Sequence, residues 1–216
     1  IAIPVFRAAE LPDIDSIWSP VDVARGRVVG LPNDPLFGAL IQSSRFETDI
    51  ERDHGGGGIR ISHQGRGLDI GGSLQHVRHS TPYFEMNAEV RAALLTGTPH
   101  AIAPNVSNAA TFTALHPFTD VFSLDISTVW GDTTWRAELA YLSDVPVTTM
   151  DFRVITAPSA QLGMAMEMFP GDGNSRLSLQ LGYTNISADE VILDKEAFGY
   201  FSGELEFLFA RESWRF

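Results

Sequence analysis

Alternation along short segments, the lengths of the connections and the placement of the aromatic residues predict an all-β chain. The class they point to is an antiparallel transmembrane up-and-down β-barrel with short periplasmic turns and long extracellular loops, of which the 216 residues form a single, incomplete domain. Successive side chains of a strand point to opposite faces. A wall between lipid and a wet lumen is therefore written as alternating apolar and polar residues.

Taken in chain order, the expected traces are 1–6, 57–64, 68–79, 118–130, 133–145, 159–169, 176–186 and 198–210, with a stub beginning at Trp214. In 68–74, Leu68, Ile70 and Leu74 oppose Asp69, Gly71 and Ser73, and in 122–130, Phe122, Leu124, Ile126 and Trp130 oppose Ser123, Asp125 and Ser127. Trp135, Ala137, Leu139 and Tyr141 oppose Arg136, Glu138 and Ala140. Leu162, Met164, Met166 and Met168 stand against Gln161, Gly163, Ala165 and Glu167. Leu177, Leu179, Leu181 and Tyr183 alternate with Ser178, Gln180 and Gly182. In 201–209, Phe201, Gly203, Leu205, Phe207 and Phe209 alternate with Ser202, Glu204, Glu206 and Leu208. Bacterial barrels close with an even number of strands, so a stub at Trp214 predicts a barrel that continues past this sequence.

Connections alternate between short and long. The short ones are Gly65-Arg66-Gly67, Gly131-Asp132-Thr133, 170–175 and 211–213, rich in the Gly, Asp, Asn and Ser that tight reversals require. The long ones are 7–56, 80–117, 146–158 and 187–197; those at 7–56 and 80–117 are the longest and are expected to be extracellular. Within the second, Asn87 can cap a helix over 88–95 that Gly97 ends. Trp and Tyr collect at membrane–water interfaces. Trp130, Trp135, Phe169, Phe209 and Trp214 flank short turns, whereas Tyr83, Tyr141, Tyr183 and Tyr200 stand at strand ends beside long loops, which predicts two girdles.

Composition narrows the classes further. With 44% hydrophobic and 19% charged residues the chain has the balance of a folded protein. A long run without Asp, Glu, Lys or Arg, 96–119, is interrupted by Pro99, Pro104 and Pro117 and does not read as a membrane helix. A net charge of −12 with one lysine, Lys195, argues against a nucleic-acid partner. There is no cysteine, hence no disulfide and no thiolate metal site.

Motifs with catalytic or ligand-binding potential are weak. The glycines 55–58 lack the Lys-Ser/Thr of a phosphate loop, and Gly171-Asp172-Gly173-Asn174 lacks the spaced carboxylates of a calcium loop. His76 and His79, three apart on a strand, point to opposite sides and so do not form a metal pair. His116 has hydroxyl and carboxyl neighbours but no nucleophile elbow. No metal, cofactor or catalytic residue is expected. What remains is a lumen-lining set: Arg60, Asp69, Gln75, Asp125, Arg136, Glu138, Glu167, Gln180, Glu204 and Glu206. Mixed charges facing inward either fill a narrow barrel with ion pairs or line a wet channel.

The run FPGDGNSRLSLQLG from Phe169 to Gly182, the strand WRAELAY from Trp135 to Tyr141, and the opening IPVFR from Ile3 with Leu11-Pro12 and Trp18-Ser19 resemble a poorly characterised family of large proteobacterial outer-membrane, porin-like barrels. The resemblance implies an outer-membrane location and a longer parent chain, and carries no substrate or catalytic residue. The expected function is a non-enzymatic channel for small solutes, in contact with outer-membrane lipid and lipopolysaccharide. The rivals are a scaffold or anchor that docks envelope proteins on its loops, a lipid-modifying membrane enzyme, and a soluble ligand-binding barrel.

Overall fold

Residues 21–22, 27–28, 46–48, 56–79, 82–97, 111–170, 175–209 and 212–215 are described by the structure, a computed structural model, with side chains described from Gly56 as far as Glu206. In chain order the elements are β1 (Val21–Asp22), β2 (Arg27–Val28), β3 (Phe46–Thr48), β4 (Gly56–Gln64), β5 (Leu68–Arg78), β6 (Tyr83–Met86), α1 (Ala88–Thr96), β7 (Phe112–Leu115), β8 (Phe118–Trp130), β9 (Thr133–Thr148), β10 (Val154–Met168), β11 (Ser175–Ile186), β12 (Ala197–Phe209) and β13 (Glu212–Arg215). The expected trace at 1–6 lies outside the described residues.

Eight strands form one antiparallel sheet in the order β13-β12-β11-β10-β9-β8-β5-β4. Apart from the step from β5 to β8, each strand pairs with its neighbour in sequence, as the short turns dictate. Gly131, at φ 62°, reverses the chain between Trp130 and Thr133, and Gly67, at φ 80°, does so between β4 and β5; both conformations suit glycine because it has no Cβ. The sheet is not closed: β4 and β13 are its edges.

On the long-connection side the structure differs from the sequence reading. The segment 146–158, expected as a loop, is mostly strand, because β9 and β10 stay paired from Val154↔Thr148 down to Ala157↔Val145. A register shift between Ala157 and Ser159 gives β9 one extra residue opposite Pro158, and a bulge is where a strand tolerates proline. Likewise 80–117 is not bare loop. It carries β6, α1 and β7; β7 pairs antiparallel with β6 and in parallel with β3.

Helix α1 forms where expected. Asn87 Oδ1 accepts from the Glu89 N–H at 2.9 Å, and Gly97, at φ 65°, returns its N–H to the last turn. Its inner face, Val90, Ala93 and Leu94, packs with Met86, Phe112 and Phe152. A second cluster joins Val147 and Ala157 of the β9–β10 hairpin to Ile192 of the next connection. Both clusters lie on the loop side; among the described residues, no large apolar side chain of the sheet on the turn side of the bulge is fully buried.

Candidate functional site

Register converts the alternation of single strands into two continuous faces. Across the sheet run the rows Leu74–Phe122–Tyr141, Gly72–Leu124–Leu139–Leu162–Tyr183 and Ile70–Ile126–Ala137–Met164–Leu181–Phe201. On the turn side follow Thr128–Trp135–Met166–Leu179–Gly203 and Trp130–Thr133–Met168–Leu177–Leu205. Between the Phe122 row and the Trp130 row no Asp, Glu, Lys or Arg interrupts this face. Its side chains are solvent-exposed, as much as 74% at Ile61, 70% at Phe201 and 82% at Trp130. A contiguous apolar surface of this extent does not persist in water; such a patch marks a partner or a membrane.

The depth of the apolar band can be set beside that of a barrel's apolar belt. From Thr133 to Tyr141 is eight steps along β9, or about 27 Å at roughly 3.4 Å per residue. At a barrel tilt of about 40° that spans roughly 20 Å, against an apolar belt of about 25 Å in outer-membrane barrels.

The opposite face holds all ten residues of the expected lumen set. Arg60 pairs across from Ser73, on the face of Asp69 and Gln75. Ser73 opposes Ser123, on the face of Asp125, and Asp125 opposes Glu138, two residues from Arg136. Ala165 links Arg136 to Gln180, while Glu167 opposes Ser178, and Ser178 opposes Glu204, two residues from Glu206.

Two ion-pair groups organise this face. Arg60 reaches over β5 to Asp125, with Nη2 2.7 Å from Oδ1, and it can do so because Gly71 lies between them. A Cβ at Gly71 would stand 2.6 Å from the guanidinium and 2.9 Å from the carboxylate. The second group is centred on Arg176, which lies 3.4 Å from Glu167, 3.2 Å from Glu204 and 3.5 Å from Glu206, tying β10, β11 and β12 together. These pairs are partly solvated and contribute little individually. Arg176 is missing from the expected set although it was legible: it stands four residues from Gln180 on the same strand face. With it, and with Arg215, which register sets opposite Glu206, the face carries Asp69, Asp125, Glu138, Glu167, Glu204 and Glu206 against Arg60, Arg136, Arg176 and Arg215.

The girdle residues sort as follows. Trp130 and Trp135 on the turn side, and Tyr141 and Tyr183 on the loop side, all belong to the apolar face. Phe169 follows directly after β10. Phe209 and Trp214 lie in β12 and β13 near the turn between them, and their side chains lie outside the description. Tyr200 departs from expectation. Its partner is Gly182, so it stands on the charged face, and its ring lies so close over Gly182 that a Cβ there would be 2.1 Å from it. Its strand-end position suggested a girdle; its alternation with Phe201 assigns the other face.

At the loop-side rim, His76 Nδ1 is 2.7 Å from Asp120 Oδ1 and its ring stacks on Phe118 at 4.7 Å, while Arg78 lies 4.4 Å from the centroid of the same ring. His79 Nε2 instead bonds the Asp144 carbonyl at 3.0 Å, so the two imidazoles take separate partners. The β9–β10 hairpin is braced at its tip: Arg153 bridges Asp151 (2.7 Å) and Glu190 (2.5 Å), and Thr149 donates to Asp151. Between them Phe152 takes φ 60°, a rare conformation for a bulky residue. The hydrogen bonds from Arg153 and Thr149 hold the Asp151 carboxyl down from 3.8 to about 2. A depressed carboxyl stabilises the fold above its unfolded pKa, and that contribution is lost as pH falls through the folded value. The brace is therefore expected to hold at pH 4 and to release toward pH 2. An NMR titration of Asp151 should show a midpoint near 2, which Arg153→Gln moves back toward the ordinary carboxylate range; an unchanged midpoint would contradict the brace.

Comparison of the chain with protein-family models, curated proteins and solved structures finds no match.

Proposed function

We propose that the chain is part of the wall of an outer-membrane β-barrel, with the apolar face against lipid and lipopolysaccharide and the charged face lining a path for small solutes, cations preferred. One observation carries this: a single sheet with a continuous, exposed apolar face backed by a continuous charged face. A soluble barrel enclosing an apolar ligand would carry its charges outward and its leucines in a packed interior. In lipid an open sheet edge leaves backbone groups without partners, so the barrel closes through further strand pairing at the edges of β4 and β13. The chain acts without chemistry of its own: its charged residues form ion pairs and a solvated lining.

The loop-side layer supports a second reading, a scaffold that docks envelope proteins. Met150 (56% exposed), Val191 (71%) and Leu193 (49%) lie together there, joined by the backbone bonds Met150 N–H to the Val191 carbonyl and Leu193 N–H to the Thr148 carbonyl. Conductance separates the two. The full-length protein reconstituted in a planar bilayer should conduct, with or without residues 86–98. Silence in both states would favour the scaffold.

A further inference from the structure

Four strands of the charged face, β9 to β12, surround a depression of about 240 Å³, lined by Arg136, Glu167, Arg176, Gln180 and Glu204 around Ala165. Its two arginines differ in state. Glu167 opposes Thr134 on one side and Ser178 on the other, so Arg136 and Arg176 are both its diagonal neighbours, within reach of long side chains. It pairs with Arg176, at 3.4 Å. Arg136 is left without an ion pair among the described residues, its donors open to the depression.

The charge is therefore separated. Around Arg176 the two carboxylates that line the depression, Glu167 and Glu204, face one guanidinium, a surplus of one negative charge, while Arg136 on β9 makes no ion pair with Glu138, two residues along its own face, or with Glu167 among the described residues. β9 and β12 are three strand spacings apart, about 14 Å, and Glu167 and Gln180 line the depression between them. A simple anion meets Arg136 and is repelled by the glutamates; a simple cation meets the reverse. A solute with a carboxylate at one end and an ammonium at the other satisfies both, the carboxylate as a forked, charge-assisted pair with the guanidinium and the ammonium against Glu204 and Glu167. We infer that this depression is a binding subsite for small zwitterionic solutes of the ω-amino acid class, anchored by Arg136. The inference rests on the charged face lining a solute path and names the solute class it favours.

The test is saturation-transfer NMR on the full-length protein in detergent micelles, with 4-aminobutyrate as probe and butyrate and butylammonium as one-charge controls. Binding of 4-aminobutyrate should exceed either control. Arg136→Gln should weaken it roughly tenfold or more, the loss of a charged hydrogen-bond partner, and Arg136→Lys should retain part of it, which separates a lost ligand contact from a lost fold. Arg176→Gln should weaken it too, by releasing Glu167 to pair with Arg136. Equal binding of all three probes, or no effect of Arg136→Gln, overturns the subsite. Conductance of the same preparation is read separately. Conduction without selective binding removes the subsite and keeps the channel, and selective binding without conduction keeps the subsite and removes the channel.

Discussion

Leu139→Arg should prevent or strongly weaken folding into lipid, while Glu138→Arg, one residue away, should be tolerated. Leu139 is flanked by Leu124 on β8 and Leu162 on β10, inside the apolar band and between the Trp130 and Phe122 rows. An arginine on a barrel's lipid face costs about 2–4 kcal/mol at the midplane and less toward either interface, and much less in the lumen. At a typical net stability of about 5–15 kcal/mol, that is a large share. The two positions have the same depth and opposite faces, so depth cannot explain a difference between them. Leu205 makes a poorer choice: it lies in the row of Thr133 and Met168, at the turn-side margin, where the same substitution costs less. Urea titration of folding into vesicles gives the comparison, and equal destabilisation by both substitutions would refute the assignment of faces.

The second large effect is on ion selectivity. Six carboxylates against Arg60, Arg136, Arg176 and, by register, Arg215 leave the described charged face two negative charges in excess. In a narrow path these raise the local concentration of cations. Screening sets the scale, since the Debye length is about 30 Å at 0.01 M salt and about 3 Å at 1 M. The reversal potential across a planar bilayer should show cation preference that is strong in dilute salt and fades in concentrated salt. Neutralising the cluster with Glu167→Gln, Glu204→Gln and Glu206→Gln together removes three negative charges and should abolish the preference. Anion preference in the unaltered protein, or a preference indifferent to the triple substitution, would contradict the assigned lining.

Period-2 alternation made the main sheet legible, because one face carries apolar side chains and the other polar ones, and every residue reports which. The strands from β8 to β12 and the shared face of Arg60 through Glu206 were readable in that way, and helix α1 was readable from its Asn87 and Gly97 caps. What eluded the sequence depends on pairing between strands. The bulge near Pro158 is a property of two strands together, and a reading of β10 alone stops at the proline. Tyr200 was assigned by its distance from a loop, although the glycine beneath it sits on a different strand. Arg176 was lost beside a turn, and its importance appears only when Glu167, Glu204 and Glu206 converge on it from β10 and β12.

The most direct measurement uses the absence of cysteine from these 216 residues. Single cysteines at Leu124, Asp125, Glu138, Leu139, Gln180 and Leu181 are spin-labelled, and the protein is reconstituted in vesicles. Collision rates are then read with lipid-soluble oxygen and with a water-soluble nickel chelate. The membrane assignment gives a two-residue alternation: labels at Leu124, Leu139 and Leu181 collide with oxygen and not with nickel, and labels at Asp125, Glu138 and Gln180 do the reverse. Leucine positions shielded from both reagents, with the carboxylate positions open to nickel, would show a packed soluble interior and contradict it.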